Sequence, residues 1–262
     1  MTRTRIGVGG WTFEPWRGAF YPPGLPHKRE LDFASRKLSS IEINGTYYRL
    51  QKPATFAQWR DETPDDFVFA LKGSRFVTNR RVLAEAGPAL ERFFASGLTE
   101  LGEKLGPINW QFMPTKQFDP EDVEAFLSLL PKSLDGRRIR HALEVRHESF
   151  MTSAFVELAA RYGAAVVIAG DSEYPMIADV TADFVYARIM GTRADQPGGY
   201  APAALDRWAE RLRVWADGGV PDDLPPLRNP AAGHKRDVFL YVISGHKPVN
   251  PEVAMALLER LT

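Results

Sequence analysis

Short apolar runs alternate with amphipathic segments from one end of the chain to the other, and the runs have the length of buried strands. This pattern predicts strands at Ile6–Gly10, Ser40–Asn44, Phe67–Lys72, Ile108–Phe112, Ala142–Arg146, Ala165–Ala169, Phe184–Ile189 and Val238–Ile243. Apolar residues at helical spacing predict helices at Leu31–Leu38, Thr55–Asp61, Ala89–Leu105, Glu121–Leu130, Ser153–Tyr162, Ala203–Asp217 and Pro251–Leu261. Eight strands with intervening helices predict an α/β fold, a single (β/α)8 TIM-barrel domain over residues 1–262. The connection Asp171–Asp183 is short, so one βα unit is degenerate. A doubly wound sheet is the competing arrangement. It would carry a glycine-rich phosphate turn after the first strand, where this chain runs into Gly9-Gly10-Trp11.

Three connections stand out in this pattern. Residues 12–30 form a long aromatic, proline-rich loop after the first strand, which a barrel places over its C-terminal face. Residues Gly73–Pro88 carry Arg75, Arg80 and Arg81 on the same face, where a solvated role is expected. Residues 218–236 are a Pro/Gly-rich insertion that reaches the last strand from the opposite end and is expected to carry no chemistry.

Strand side chains alternate between two faces, which sorts the polar residues near each strand end. Glu42 and Asn44 share a face while Ile41 and Ile43 take the other, and Lys72 follows Val68 and Ala70. Asn109 and Gln111 share a face, as do Glu144 and Arg146, and Arg188 is in line with Tyr186. The sixth strand runs into Asp171. Six charges are therefore expected at one mouth: Glu42, Glu144 and Asp171 against Lys72, Arg146 and Arg188. Charges are seldom buried without partners or a ligand.

Two carboxylates in unlike surroundings can divide into an acid and a base, which suits Glu42 and Glu144. Lys72 beside arginines is a candidate base or Schiff-base amine, and Asp171 completes the candidate catalytic set. Arg146, Arg188, Asn44, Gln111 and His147 would bind a polar or anionic substrate, with Trp11 and Tyr47 stacking on it. A metal-independent acid/base enzyme is the preferred expectation, with no cofactor. Two alternatives stand: a divalent-metal hydrolase or isomerase, and a non-catalytic scaffold whose charges only neutralise one another. The metal alternative draws on Glu42, Glu144, His147 and Asp171, but no HxH or HExxH spacing appears.

Composition narrows the rest. With 33 basic and 33 acidic residues the formal net charge is zero, which argues against a general nucleic-acid or membrane surface. The absence of cysteine excludes disulfides, thiolate nucleophiles and Cys-ligated metal. No GxSxG elbow, signal-like start or membrane-length apolar run occurs, so a cytoplasmic protein with a small-molecule substrate is expected. Oligomeric state is left open.

Several segments together resemble the domain-of-unknown-function 72 family, also called YecE-like proteins. They include Gly9-Gly10-Trp11, Trp16-Arg17-Gly18, Phe20-Tyr21-Pro22 and Glu42-Ile43-Asn44-Gly45-Thr46-Tyr47-Tyr48-Arg49. Phe69-Ala70-Leu71-Lys72, Leu105-Gly106-Pro107, Gln111-Phe112 and Glu144-Val145-Arg146-His147-Glu148-Ser149-Phe150 follow. Ala169-Gly170-Asp171-Ser172 and Thr181-Ala182-Asp183-Phe184-Val185-Tyr186-Ala187-Arg188 complete the set. The resemblance implies a TIM barrel and brings no reaction or catalytic residue with it. This chain departs from the family after its last strand, where Val242-Ile243-Ser244-Gly245-His246 replaces an aromatic-Asn-Asn segment.

Overall fold

Each of the eight apolar runs becomes a strand of one parallel ring. The computed structural model describes residues 3–228 and 233–262. The strands are β1 (Thr4–Gly9), β2 (Ser40–Ile43), β3 (Val68–Lys72), β4 (Leu105–Gln111) and β5 (His141–Glu144). They continue as β6, in two pieces (Ala165–Val166 and Ile168–Gly170), β7 (Phe184–Ile189) and β8 (Asp237–Val242). Neighbours in sequence are neighbours in the ring, and β8 returns to β1 with Thr4 opposite Val238. The first piece of β6 pairs with β5 and the second with β7, and the Val167 N–H donates to the Leu143 carbonyl at 2.9 Å. The ring therefore closes through a strand that changes partner halfway.

Alternation along the strands separates two apolar layers. Ala70, Ala142, Val167, Phe184, Phe239 and Tyr241 fill the interior of the ring. Ile6, Ile41, Leu71, Leu143, Val185 and Leu240 face outward against helical residues such as Phe56, Phe93, Phe126, Phe155 and Trp208. This is the layering of a TIM barrel, with polar chemistry left to the strand ends. The outer helices include α1 (Glu30–Ser35), α2 (Gly45–Tyr48), α3 (Pro53–Asp61), α4 (Arg75–Thr78) and α5 (Gly87–Phe94). The rest are α6 (Pro120–Leu129), α7 (Ser153–Arg161), α8 (Pro202–Ala216) and α9 (Asn250–Leu261). Local chemistry sets their starts: Asp119 accepts from the N–H groups of Glu121 and Asp122 ahead of α6, with Pro120 at its first position. Among the described residues no helix is long and apolar enough to cross a membrane.

Two expectations need correction. The single helix expected over Ala89–Leu105 is broken: α5 ends at Phe94, Gly97 takes φ +91°, and a 3-10 segment runs Leu98–Lys104. A Cβ on Gly97 would lie 2.6–2.8 Å from Pro53, so the turn there needs glycine. Strand β4 starts at Leu105, earlier than expected, because Gly106-Pro107 sits in a bulge. Phe69 pairs with Leu105 but Leu71 pairs with Ile108, so Pro107 has no ladder N–H to give. The connection Asp171–Asp183 carries no helix, as expected. In the 218–236 insertion, residues 229–232 lie outside the described residues. Ahead of them Asp179 accepts from the N–H groups of Leu227 and Arg228 at 2.8 and 3.1 Å.

Gly73, which follows Lys72, shows how tightly the strand ends are set. Its N–H donates to the Asn109 carbonyl at 2.8 Å, and an added Cβ would stand 2.1–2.9 Å from the Trp110 indole. Gly73→Ala should lower stability by about 1–3 kcal/mol through overpacking. A urea-unfolding midpoint equal to that of the parent protein would show instead that Trp110 yields freely.

Candidate functional site

At the C-terminal mouth, five strands deliver one connected charge network. Glu42 on β2 and Glu144 on β5 are fully buried, and Arg188 on β7 lies between them. Arg188 Nη2 is 2.9 Å from Glu42 Oε1, while its Nη1 donates to Glu144 Oε2. Arg146 holds the other Glu144 oxygen in a fork, with Nε at 2.9 Å and Nη2 at 2.7 Å from Oε1. Asn109 on β4 donates to Glu144 at 3.0 Å and to Glu42 at 3.3 Å. Tyr186 donates to Glu42 Oε2 at 2.5 Å from one layer deeper. Both carboxylates are thus saturated by protein donors.

Lys72 is engaged differently. Its ammonium donates to Gln111 Oε1 at 2.8 Å and stands 4.5 Å from the Tyr47 ring centre. Arg188 Nη1 reaches the same Gln111 oxygen at 3.3 Å. Tyr47 is itself tied to Asn79 Oδ1 at 3.3 Å. Arg146 is half-buried, stacks 4.3 Å from the Tyr174 ring centre and donates to its hydroxyl at 3.3 Å. The Asn44 amide lies over Gly9, where a Cβ would come within 2.9 Å of Nδ2.

Electrostatics separate these groups sharply. Burial pushes the Glu144 carboxyl up, but Arg188, Arg146 and Lys72 outweigh it and hold it at about 2. Burial, reinforced by Arg188, pulls the Lys72 ammonium down to about 8 despite Glu42 and Glu144. Burial lowers the Arg188 guanidinium, yet the two carboxylates prevail and keep it firmly charged. Burial, then the charge on Glu42, pushes the Tyr186 phenol far above its ordinary range. Near neutrality Lys72 is the group poised to exchange a proton.

Glu42, Glu144, Lys72, Arg146, Arg188, Gln111 and Tyr47 are brought together, with Asn44 at the rim. Asp171, Trp11 and His147 are not. Asp171 accepts from Tyr200 Oη at 2.9 Å and Trp208 Nε1 at 2.8 Å, on the side of helix α8. A φ of +52° at Asp171 turns the chain there, which alternation alone could not foresee. Trp11 packs edge-on against Trp59, with ring centres 5.2 Å apart, and near Phe69 on the outer layer. His147 is turned into the next turn, where its Nδ1 accepts the Ser149 N–H at 3.1 Å. Asn109 and Tyr186 were legible as inward-facing, but their role as donors to the carboxylates was not. Tyr174 lies in an irregular connection and gave no periodic signal.

No group of three or more His, Asp or Glu side chains is arranged to hold a metal ion among the described residues. Glu42 and Glu144 are also occupied by Arg188, which leaves them ill-placed to share a cation.

Relatives agree with this architecture. The family described as "Protein of unknown function DUF72" matches residues 5–262. UPF0759 protein YecE of Escherichia coli K12 is 28% identical over 145 residues, which is 55% of this chain and 49% of YecE. UPF0759 protein YunF of Bacillus subtilis 168 is 26% identical over 157 residues, 58% of this chain and 54% of YunF. The chain thus spans about half the length of these curated relatives. The DUF72 protein TM1631 of Thermotoga maritima superposes with a TM-score of 0.70 at 20% identity, covering 97% of this chain and 96% of that one. EF0366 of Enterococcus faecalis gives 0.70 at 16% identity, covering 100% and 98%. SacUVDE gives 0.57 at 10% identity, covering 99% of each. These likenesses concern the fold alone. The match over residues 5–262, together with the barrel and its strand-end motifs, places the chain in the DUF72 family of proteins of unknown function.

Proposed function

We propose that residues 1–262 act as one domain, an enzyme for a small anionic substrate bound at this mouth. Lys72 exchanges the proton, Arg146 holds the anion, and Glu42, Glu144 and Arg188 form the frame. The charge count carries this reading. With Asp171 elsewhere, three cations (Lys72, Arg146 and Arg188) stand against two carboxylates, and both carboxylates are saturated. An anion would balance the group. The division of labour between Glu42 and Glu144 expected from sequence gives way to a different one. A carboxyl held at about 2 has no proton to give at neutral pH, so the acid role passes to Lys72.

The same saturation favours one competing reading, a network that only ties the strands together. Calorimetric titration with small carboxylates decides between them. Saturable binding that weakens at least tenfold in both Lys72→Met and Arg146→Gln, with the variants still folded, supports the enzyme site. Binding unchanged in both variants would leave the structural network as the better account.

A further inference from the structure

A cavity opens at the N-terminal end of the barrel, opposite the mouth, with a volume of about 630 Å3. That is the scale of a small-molecule site. Five arginines line it against three carboxylates, Glu103, Asp135 and Asp237. Most of the arginines have acidic partners. Arg140 Nη1 is 2.7 Å from Asp237 Oδ2, and its guanidinium stacks 5.8 Å from the Phe239 ring centre. Arg137 is bound to Glu103, and Arg138 to Asp183 beyond the lining.

Arg5 differs from the others. It is only 9% exposed, on the interior face of β1, and it donates to the backbone carbonyls of Asp66 and Ser39. The nearby Asp66 and Asp237 are paired with Arg3 (4.0 Å) and Arg140. Among the described residues no carboxylate stands within ion-pair distance of Arg5. Burial, then the neighbouring Arg3 charge, lowers its affinity for its proton, against the opposing pull of Asp66 and Asp237. A buried cation held by carbonyl dipoles alone gains from an anion within reach.

We propose that this cavity is a binding site for a phosphate-bearing small molecule, with Arg5 and Arg140 holding the phosphate. With Arg3, Arg137, Arg138 and Arg140 each paired to a carboxylate, Arg5 is the guanidinium of the lining without such a partner among the described residues, and guanidinium geometry suits phosphate oxygens. Val68 and Phe239 in the same wall offer apolar contact to the organic part. Catalysis in barrels of this kind belongs to the other face, so occupancy here acts on the stability of the fold, by mass action.

The test uses the full chain with inorganic pyrophosphate, against sodium chloride at equal ionic strength. Expected are saturable binding by calorimetry and a rise in unfolding temperature. Arg5→Gln should raise Kd at least tenfold, whereas Lys72→Met should leave this binding in place. In the unmodified protein, pyrophosphate should slow phenylglyoxal modification of Arg140 relative to exposed Arg36, a readout that does not depend on how Arg5→Gln folds. Binding untouched by Arg5→Gln, or equal modification of Arg140 and Arg36 with and without pyrophosphate, overturns the proposal.

Discussion

Replacing Glu144 by glutamine should cost about 3–5 kcal/mol of stability, the largest single-site loss expected at the mouth. The carboxylate has no exposed surface and meets Arg188, Arg146 and Asn109 at once. Its removal leaves Arg188, also buried, with Glu42 alone. The acid side of the stability profile carries the same signature. The folded carboxyl, at about 2, lies below its ordinary 4.5, so the folded state binds fewer protons than the unfolded chain between those values. The stabilisation is complete above pH 4.5 and is lost as pH falls through about 2, amounting to roughly 3 kcal/mol. Urea unfolding at pH 7 and across this acid window measures both effects. A loss below about 1 kcal/mol, or an acid limb as steep in Glu144→Gln as in the parent, would refute the central role given to this carboxylate.

Lys72→Met is expected to act in the opposite direction. The folded ammonium, at about 8, lies below its ordinary 10.5, so between those values the unfolded chain binds more protons. Burying the charged lysine therefore destabilises the fold below pH 8, and the cost is relieved as pH rises from about 8 to 10.5. At pH 7 Lys72→Met should be more stable than the parent by up to roughly 3 kcal/mol, with the gap closing by pH 10.5. Paired unfolding curves at pH 7 and pH 10 test the sign. A variant less stable than the parent at pH 7 would assign Lys72 to the frame. A costly amine at a strand end is what the proposed site would keep at the expense of stability.

The strands were legible because buried parallel strands are continuous apolar runs, and β7, Phe184–Ile189, was read to the residue. The polar ends were legible through alternation, which brought Glu42, Lys72, Glu144 and Arg188 to one place. What escaped was local geometry that breaks the period. Asp171 follows the last residue of β6 but takes a left-handed turn, which sends its carboxylate to Tyr200 and Trp208. The start of β1 escaped because Thr4 and Arg5 look like a solvated end, although Arg5 faces the barrel interior. Gly106-Pro107 reads as a turn in sequence and becomes a bulge only because β3 tolerates the offset. Trp11 and His147 carry chemistry-bearing side chains that the fold spends on packing and capping.

Strand β6 gives β5 only two residue pairs and β7 only three, so the hoop has one short-laddered joint. Glu144 and Arg188 stand on the two sides of that joint, and their contact spans it. The ion pair is therefore also a clasp. The girth of the ring at this point is thus set by a side-chain contact as much as by the backbone ladder.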